Sequence, residues 1–140
     1  DWELLKKCKI FHFGSLSLAD EPARTATIAA VKAAKAAGAV ISYDPNYRAS
    51  LWRNEKSAVE QMKSVIPFVD MMKVSEEELV LLTEMEDYHQ AAAQILAWGP
   101  KLLAVTLGSE GVLIAMAKKQ EKIAGFKVQV VDTTGAGDSF

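Results

Sequence analysis

The sequence predicts an α/β fold in which a mostly parallel β-sheet carries helices on both faces and ends in an antiparallel edge. Short apolar segments alternate along the chain with longer helical segments, the order expected of strands connected by helices. The strand segments are continuous apolar runs, which is typical of parallel strands buried on both faces. Towards the C-terminal end, two strand-like segments follow each other with only a polar turn between them, and this predicts antiparallel pairing.

The first half of the chain predicts two strands separated by one helix. The first strand covers residues 9–13 (K-I-F-H-F) and is followed by a Gly/Ser loop. We expect Asp20 to cap the next helix, with Pro22 tolerated in its first turn and Gly38 ending it. The second strand is predicted at residues 40–43 (V-I-S-Y).

The second half continues this alternation and then departs from it. Helices are predicted over residues 54–66, 75–83 and 87–98, and strands over residues 71–74 and 102–106. Residues 111–117 and 121–131 are predicted to form the antiparallel pair, joined by a turn at residues 118–120. In sheets of this kind ligands bind outside the carboxyl ends of the strands, so the polar clusters that follow the strands can converge on one crevice.

Composition excludes several classes of function. The chain has 140 residues, half of them hydrophobic, and a net charge of −2, which favours neither a nucleic-acid surface nor a basic membrane patch. No apolar run approaches the ~20 residues that a membrane span needs. The single cysteine, Cys8, excludes an internal disulfide and fits a reducing, cytoplasmic compartment. The chain starts without Met and stops where a helix is expected to start, so we interpret it as part of a longer protein.

The last nine residues, Asp132–Phe140 (D-T-T-G-A-G-D-S-F), combine small residues with a carboxylate after a predicted strand. Small residues let a backbone approach a ligand closely, and the unpaired N–H groups at a helix start attract anions. A carboxylate there, such as Asp138, can accept a proton from an attacking hydroxyl. The residues alone are equally compatible with a tight strand-to-helix turn in which Asp138 only favours the helix dipole.

Three further polar segments follow predicted strands. Residues 106–111 (T-L-G-S-E-G) read as a glycine-containing loop, and they match neither a P-loop nor a dinucleotide fingerprint. Ser75 and Glu78 form an S-x-x-E capping box, which a structural role explains. Asp44–Arg48 (D-P-N-Y-R) is a strong turn signal that ends in an arginine suited to bidentate binding of phosphate or carboxylate.

Taken together, these segments resemble the ribokinase-like (PfkB-type) carbohydrate kinases, and within that family the fructokinases. The resemblance runs from F-H-F-G-S-L-S-L at residues 11–18 to the C-terminal D-T-T-G-A-G-D-S-F, which is the most specific match. It implies a ribokinase-like three-layer sandwich. It also implies that residues 1–140 form a single partial domain, the ATP-binding and catalytic portion, without the N-terminal lid region and the C-terminal end.

The resemblance assigns roles to individual residues. Asp138 is implied as the general base, with Gly135, Ala136 and Gly137 forming the anion hole. The implied contacts to ATP come from Thr106, Gly108, Ser109, Gly111 and Ser75. Arg48 and Asn46 are implied to approach the sugar and the transferred phosphate. Glu78 is implied to organise magnesium through water, and Asp132 and Thr134 to help hold a monovalent cation, potassium. Ser75 stands where the family usually has Asn.

The reaction implied is transfer of the ATP γ-phosphoryl group to a hydroxymethyl group, with fructose as the expected acceptor. A kinase of another sugar or sugar acid, such as 2-keto-3-deoxygluconate, remains an alternative, as does a catalytically silent kinase-like regulatory protein. A dinucleotide-dependent oxidoreductase is disfavoured because the loop after the first strand lacks G-x-G-x-x-G. The expected partners are the sugar and ATP, without nucleic acid or membrane, and the full-length protein is expected to be able to form a homodimer.

Overall fold

The computed structural model describes residues 1–129, 131–132 and 135–138. Its helices are α1 (Trp2–Leu5), α2 (Ala23–Ala36), α3 (Glu55–Val65), α4 (Glu76–Thr83) and α5 (Tyr88–Ala97). Its strands are β1 (Ile10–Gly14), β2 (Val40–Asp44), β3 (Met71–Ser75), β4 (Leu102–Thr106), β5 (Val112–Met116) and β6 (Lys119–Ile123). Short 3₁₀ turns lie at Leu16–Leu18, Ala49–Leu51, Ile66–Phe68 and Gly108–Glu110.

The described strands form one six-stranded sheet in the order β1-β2-β3-β4-β5-β6. The pairs from β1 to β4 are parallel, whereas β4–β5 and β5–β6 are antiparallel. The predicted α/β class, mostly parallel sheet and antiparallel edge are therefore confirmed. Because β1 to β4 are parallel, their carboxyl ends lie at one edge of the sheet, where ligands bind in such folds.

The core lies on one face of this sheet. Tyr43, Met72, Leu103 and Ala115 are register partners across four strands, and each is at most 3% exposed. The helices pack over that row with Val31, Met62, Leu79, Leu82 and Ile95, all buried. Each such side chain contributes about 1.5–3 kcal/mol on burial.

The opposite face of the sheet is half-exposed in the described part of the chain. It presents apolar side chains near the amino ends of the parallel strands and at the end of β5: Ile10 (59% exposed), Val40 (37%), Met71 (39%) and Met116 (43%). The helices described here form the layer on the core side. The second helical layer of the expected three-layer arrangement is not among the described elements.

Most helix starts agree with the capping residues in the sequence. The side chains of Asn54, Ser75 and Asp87 each accept a backbone N–H at the start of α3, α4 and α5. The predicted cap of α2 is wrong. This helix begins at Ala23 with Pro22 in the N-cap position, and Asp20 contributes only its backbone carbonyl, to the Arg24 N–H. The Arg24 N–H already binds that carbonyl, and the Thr25 N–H binds Oε2 of Glu21 at 3.2 Å, so these first-turn donors are satisfied without the Asp20 carboxylate.

The strand predicted at residues 121–131 also differs from the structure. The hairpin turns at residues 117–118, with Met116 paired to Lys119, so β6 begins earlier than predicted and ends at Ile123. Two-residue loops are the commonest hairpin connections, and this loop fixes the register. Residues 124–129 form no regular element, and Phe126 and Val128 are 92% and 73% exposed. The apolar side chains of this segment are therefore not packed into the sheet in the described part of the chain.

Candidate active site

A cavity of about 530 Å³ opens at the carboxyl ends of β2, β3 and β4. It brings together residues from four separate polar segments of the sequence. Its lining consists of Asn46, Tyr47, Arg48, Glu55, Lys73, Ser75, Glu77, Glu78, Leu81, Thr106 and Gly137. The predicted convergence of polar clusters on one crevice is thus observed for the segments at residues 44–48, 75–78 and 106–111, and for Gly137 of the C-terminal motif.

The loop Asp44–Arg48 forms one wall of this cavity. Asp44 is 8% exposed, and its Oδ1 accepts a hydrogen bond from the Asn46 N–H at 3.2 Å. Asn46 adopts a left-handed backbone conformation with φ 47°, which asparagine tolerates better than most residues. Arg48 is exposed and uses its Nη1 on the carbonyl oxygen of Tyr47 at 3.0 Å. Since a guanidinium carries five N–H donors, Arg48 keeps donors for an anionic ligand.

Glu78 lies at the floor of the cavity, 9% exposed, in the first turn of α4. Its Oε2 accepts the Ser75 N–H at 2.9 Å, and the Ser75 hydroxyl accepts the Glu78 N–H at 3.1 Å, which completes the predicted capping box. Its Oε1 accepts the Tyr47 N–H at 2.6 Å. Glu78 therefore fastens the Asp44–Arg48 loop to the start of α4, a role that the capping-box pattern does not indicate.

Lys73 is a cavity residue that the sequence motifs did not single out. Its side chain is 22% exposed, and its Nζ donates to Oδ2 of Asp44 at 2.8 Å. A methyl group added at Gly137 would lie 3.1 Å from the same Nζ, so Lys73 lies against the backbone of the C-terminal motif. The signal in the sequence is a lysine inside the otherwise apolar strand M-M-K-V, which by itself reads as a solvent-facing residue.

Tyr43 lies beneath the loop and is fully buried. Burial raises the pKa of its phenol, and the nearby carboxylates of Glu78 and Asp44 raise it further. The hydroxyl therefore stays neutral, and it has no hydrogen-bond partner among the described residues. Asp44 and Glu78 thus place two negative charges near the end of β2, and the Lys73 ammonium group pairs with that of Asp44.

The segment Thr106–Gly111 enters the cavity only through Thr106. Gly108 and Ser109 lie in the exposed 3₁₀ turn after β4, and Gly111 follows it with φ 104°. A Cβ at Gly111 would lie 2.0 Å from the carbonyl oxygen of Ile123, and one at Gly125 would lie 2.7 Å from that of Ser109. The turn is therefore held by direct backbone contact with the segment that leaves β6.

The C-terminal motif reaches the cavity through Gly137. Gly135, Ala136, Gly137 and Asp138 form an exposed turn, and Asp132 is exposed before it. Asp138 is not among the residues that line the cavity. Thr134, predicted as a cation ligand, and the helix predicted after the motif fall on residues outside the described part. The roles of Gly135 to Asp138 and of Asp132 stay predictions.

The described residues contain no group of three or more His, Cys, Asp or Glu side chains placed to hold a metal ion directly. Both oxygens of Glu78 already accept a backbone N–H. This arrangement fits an ion held through water better than one bound directly by the carboxylate. No described helix combines the length and the apolar character needed to cross a membrane.

A comparison with protein families decides the family. The model of the pfkB family carbohydrate kinases matches residues 1–140. The chain belongs to the pfkB family. The resemblance carried by its motifs is therefore confirmed, and the cavity at the ends of β2, β3 and β4 is the candidate active site of a pfkB-type chain.

Individual relatives agree with this assignment. The chain is 47% identical to probable fructokinase-6, chloroplastic, of Arabidopsis thaliana over 142 residues, which cover 100% of the chain and 37% of the relative. A double-mutant fructokinase of Vibrio cholerae, in its fructose, ADP and potassium ion bound form, superimposes with a TM-score of 0.88 at 34% identity, covering 94% of this chain and 43% of that one. A putative ribokinase II of E. coli in complex with ATP and Mg²⁺ gives 0.86 at 33% identity, over 99% and 44%. The chain thus spans about two-fifths of the length of these relatives.

Proposed function

We propose that this chain is the catalytic portion of a longer ATP-dependent sugar kinase that converts fructose to fructose 6-phosphate. The main support is the cavity, which unites Asn46 and Arg48 with Ser75, Glu78, Thr106 and Gly137. These are six of the residues that the motifs assign to substrate, nucleotide, metal and anion hole. The fructokinase relative at 47% identity and the fructose-bound structural neighbour favour fructose as the acceptor.

In the proposed reaction the hydroxymethyl oxygen of the sugar attacks the γ-phosphorus of ATP. The bond from that phosphorus to the bridging oxygen breaks, ADP leaves, and Asp138 takes the hydroxyl proton. The backbone N–H groups of Gly135, Ala136 and Gly137 stabilise the charge that develops on the phosphoryl oxygens. Arg48 adds a positive charge on the opposite wall, suited to bidentate contact with phosphate.

Nucleotide and cations follow the same assignment. Thr106, Gly108, Ser109 and Gly111 contact ATP together with Ser75, with Thr106 nearest the cavity. Glu78 organises magnesium through water, consistent with a carboxylate whose two oxygens are already engaged. Magnesium supplies charge neutralisation at the phosphates when bound. Asp132 and Thr134 are proposed to help hold potassium, an ion that the Vibrio neighbour binds.

Several wider features belong to the same proposal. Residues 1–140 form part of one domain, and the remaining chain supplies the sugar lid and covers the half-exposed sheet face. The partners are the sugar and ATP, with a homodimer as the proposed assembly. We propose a cytoplasmic location. A plastid is the alternative location, because one relative is named chloroplastic. A kinase of 2-keto-3-deoxygluconate or of another sugar is the alternative function.

The test is an ADP-release assay on the full-length protein with a panel of sugars and sugar acids. We expect fructose to give the highest kcat/KM and release of ADP to require magnesium. Phosphorylation of 2-keto-3-deoxygluconate but not of fructose would mean that the protein is a sugar kinase with a different acceptor. Binding of ATP without phosphorylation of any sugar would favour the catalytically silent regulatory protein. Affinity for NAD(H) without affinity for ATP would end the kinase proposal.

A further inference from the structure

Lys73 is the one basic side chain of the cavity to which no motif assigns a role. It lies on the central strand β3, 22% exposed, and its ammonium group donates to Asp44 at 2.8 Å. The Asp44 side chain is itself only 12% exposed. An ion pair this far removed from water differs from a surface pair, because removing one partner leaves the other charge buried and uncompensated. Lys73 is therefore no ordinary solvent-facing lysine of a strand.

The Asp44 carboxylate links Lys73 to the loop Asp44–Arg48. Oδ2 accepts from Lys73, and Oδ1 accepts from the Asn46 N–H at 3.2 Å. Asn46 lies in the left-handed region with φ 47°, which asparagine tolerates, and the contact with Asp44 stabilises the turn there. The turn at Asn46 thus depends on a carboxylate whose position Lys73 fixes.

A second contact holds the other end of the same loop. Glu78 accepts the Tyr47 N–H at 2.6 Å, one residue before Arg48. Lys73 and Glu78 lie close together in the sequence, on β3 and at the start of α4, so the loop is fastened twice to one rigid segment. The side chain of Arg48 leaves the loop directly after these two attachments.

From these contacts we infer that Lys73 is a positioning residue, which acts through Asp44 to hold Asn46 and Arg48 in place for the acceptor sugar and the transferred phosphoryl group. This inference rests on the proposed function. In this role Lys73 acts through its hydrogen bond to Asp44, and its Nζ also lies against the backbone of Gly137. The pair thereby also sets the spacing between the Asp44–Arg48 loop and the C-terminal motif.

The test compares Lys73→Met, Asp44→Asn and the double variant in the full-length protein, with Lys101→Met as the matched control. Lys101 also pairs with an aspartate, Asp70 at 3.1 Å, but its side chain is 82% exposed and it precedes β4, remote from the cavity. We expect each single variant to lower kcat/KM for the sugar by roughly 10- to 100-fold, the range for a small misplacement of substrate-positioning groups. The KM for ATP should change by less than about twofold. The double variant should lose no more kcat/KM than the worse single variant, because both substitutions break the same ion pair.

A measurement independent of catalysis accompanies the kinetics. Hydrogen exchange of the Asn46 amide should become faster in Lys73→Met but not in Lys101→Met, while the Tyr47 amide, held by Glu78, keeps its protection. Unchanged exchange at Asn46 would overturn the inference, even in a protein that phosphorylates no sugar, so it can fail separately from the proposed function. A loss of activity in Lys73→Met together with full activity in Asp44→Asn would also overturn the inference. Lys73 would then act by contacting the phosphate directly.

Discussion

Glu78 offers a prediction whose size can be worked out from its contacts. The change is Glu78→Gln, which keeps the shape of the side chain and replaces one acceptor oxygen by an NH₂ group. Glu78 is 9% exposed, and its two oxygens accept the N–H groups of Tyr47 at 2.6 Å and of Ser75 at 2.9 Å. A glutamine can accept only one of these, and its NH₂ group then faces the other N–H donor.

The expected cost follows from the loss of one charge-assisted hydrogen bond. Such bonds contribute about 1.5–3 kcal/mol, and a buried donor left without an acceptor falls in the same range. We therefore expect Glu78→Gln to lower the free energy of unfolding by about 2 kcal/mol. The matched control is Glu77→Gln, one residue earlier and exposed, for which a change within about 0.5 kcal/mol is expected.

Equilibrium urea unfolding of the full-length protein measures both variants, followed by tryptophan fluorescence. The midpoint should fall for Glu78→Gln at an unchanged slope and stay in place for Glu77→Gln. Equal stability of the two variants would refute the idea that the Glu78 carboxylate fastens the loop to α4, and its role would then reduce to one at the metal.

Two further predictions concern other parts of the chain. Burial acts to raise the pKa of Asp70, but hydrogen bonds from the Ile41 N–H and two lysine ammonium groups, including that of Lys101, outweigh it and leave the pKa below its ordinary value. The stabilisation that the ionised Asp70 gives the folded protein is therefore present above about pH 4 and is lost as the pH falls through the lowered pKa. Asp70→Asn should lower the free energy of unfolding by about 1–2 kcal/mol at pH 7 and by less in acid. A loss of stability in thermal unfolding that is the same at every pH would contradict this. Gly125→Ala places a methyl group 2.7 Å from the Ser109 carbonyl oxygen, in the turn after β4. We expect the KM for ATP to rise several-fold while the KM for the sugar stays within about twofold. An unchanged KM for ATP would show that the turn at Ser109 is not part of the nucleotide site.

Local signals in the sequence predicted much of the fold correctly. The capping box of Ser75 and Glu78 and the cap at Asp87 place helix starts within one residue, because capping is decided by neighbouring groups. The expected cap at Asp20 was wrong because the first-turn donors of α2 bind the Asp20 carbonyl oxygen and the Glu21 side chain instead. The end of β6 depends on a hairpin register and on packing partners, and neither is visible in the pattern of residues 121–131.

The residues of the candidate site were likewise only partly predictable from local sequence signals. The motifs found Arg48, Ser75, Glu78 and Thr106, and the order of strands is what brings them together. Lys73 was missed because its partner, Asp44, is 29 residues away on the neighbouring strand. Contacts between distant segments, such as Glu78 with Tyr47, follow from the three-dimensional arrangement and have no local signature.

Asp138 is proposed as the base of the phosphoryl-transfer site. The most direct measurement is the rate of fructose-dependent ADP release by the full-length protein with Asp138→Ala, beside Asp20→Ala as a control carboxylate in the exposed segment before α2. We expect kcat to fall by about 10²–10⁴-fold for Asp138→Ala, with ATP affinity nearly unchanged and Asp20→Ala as active as the wild type. Wild-type turnover by Asp138→Ala would show that Asp138 is not the base.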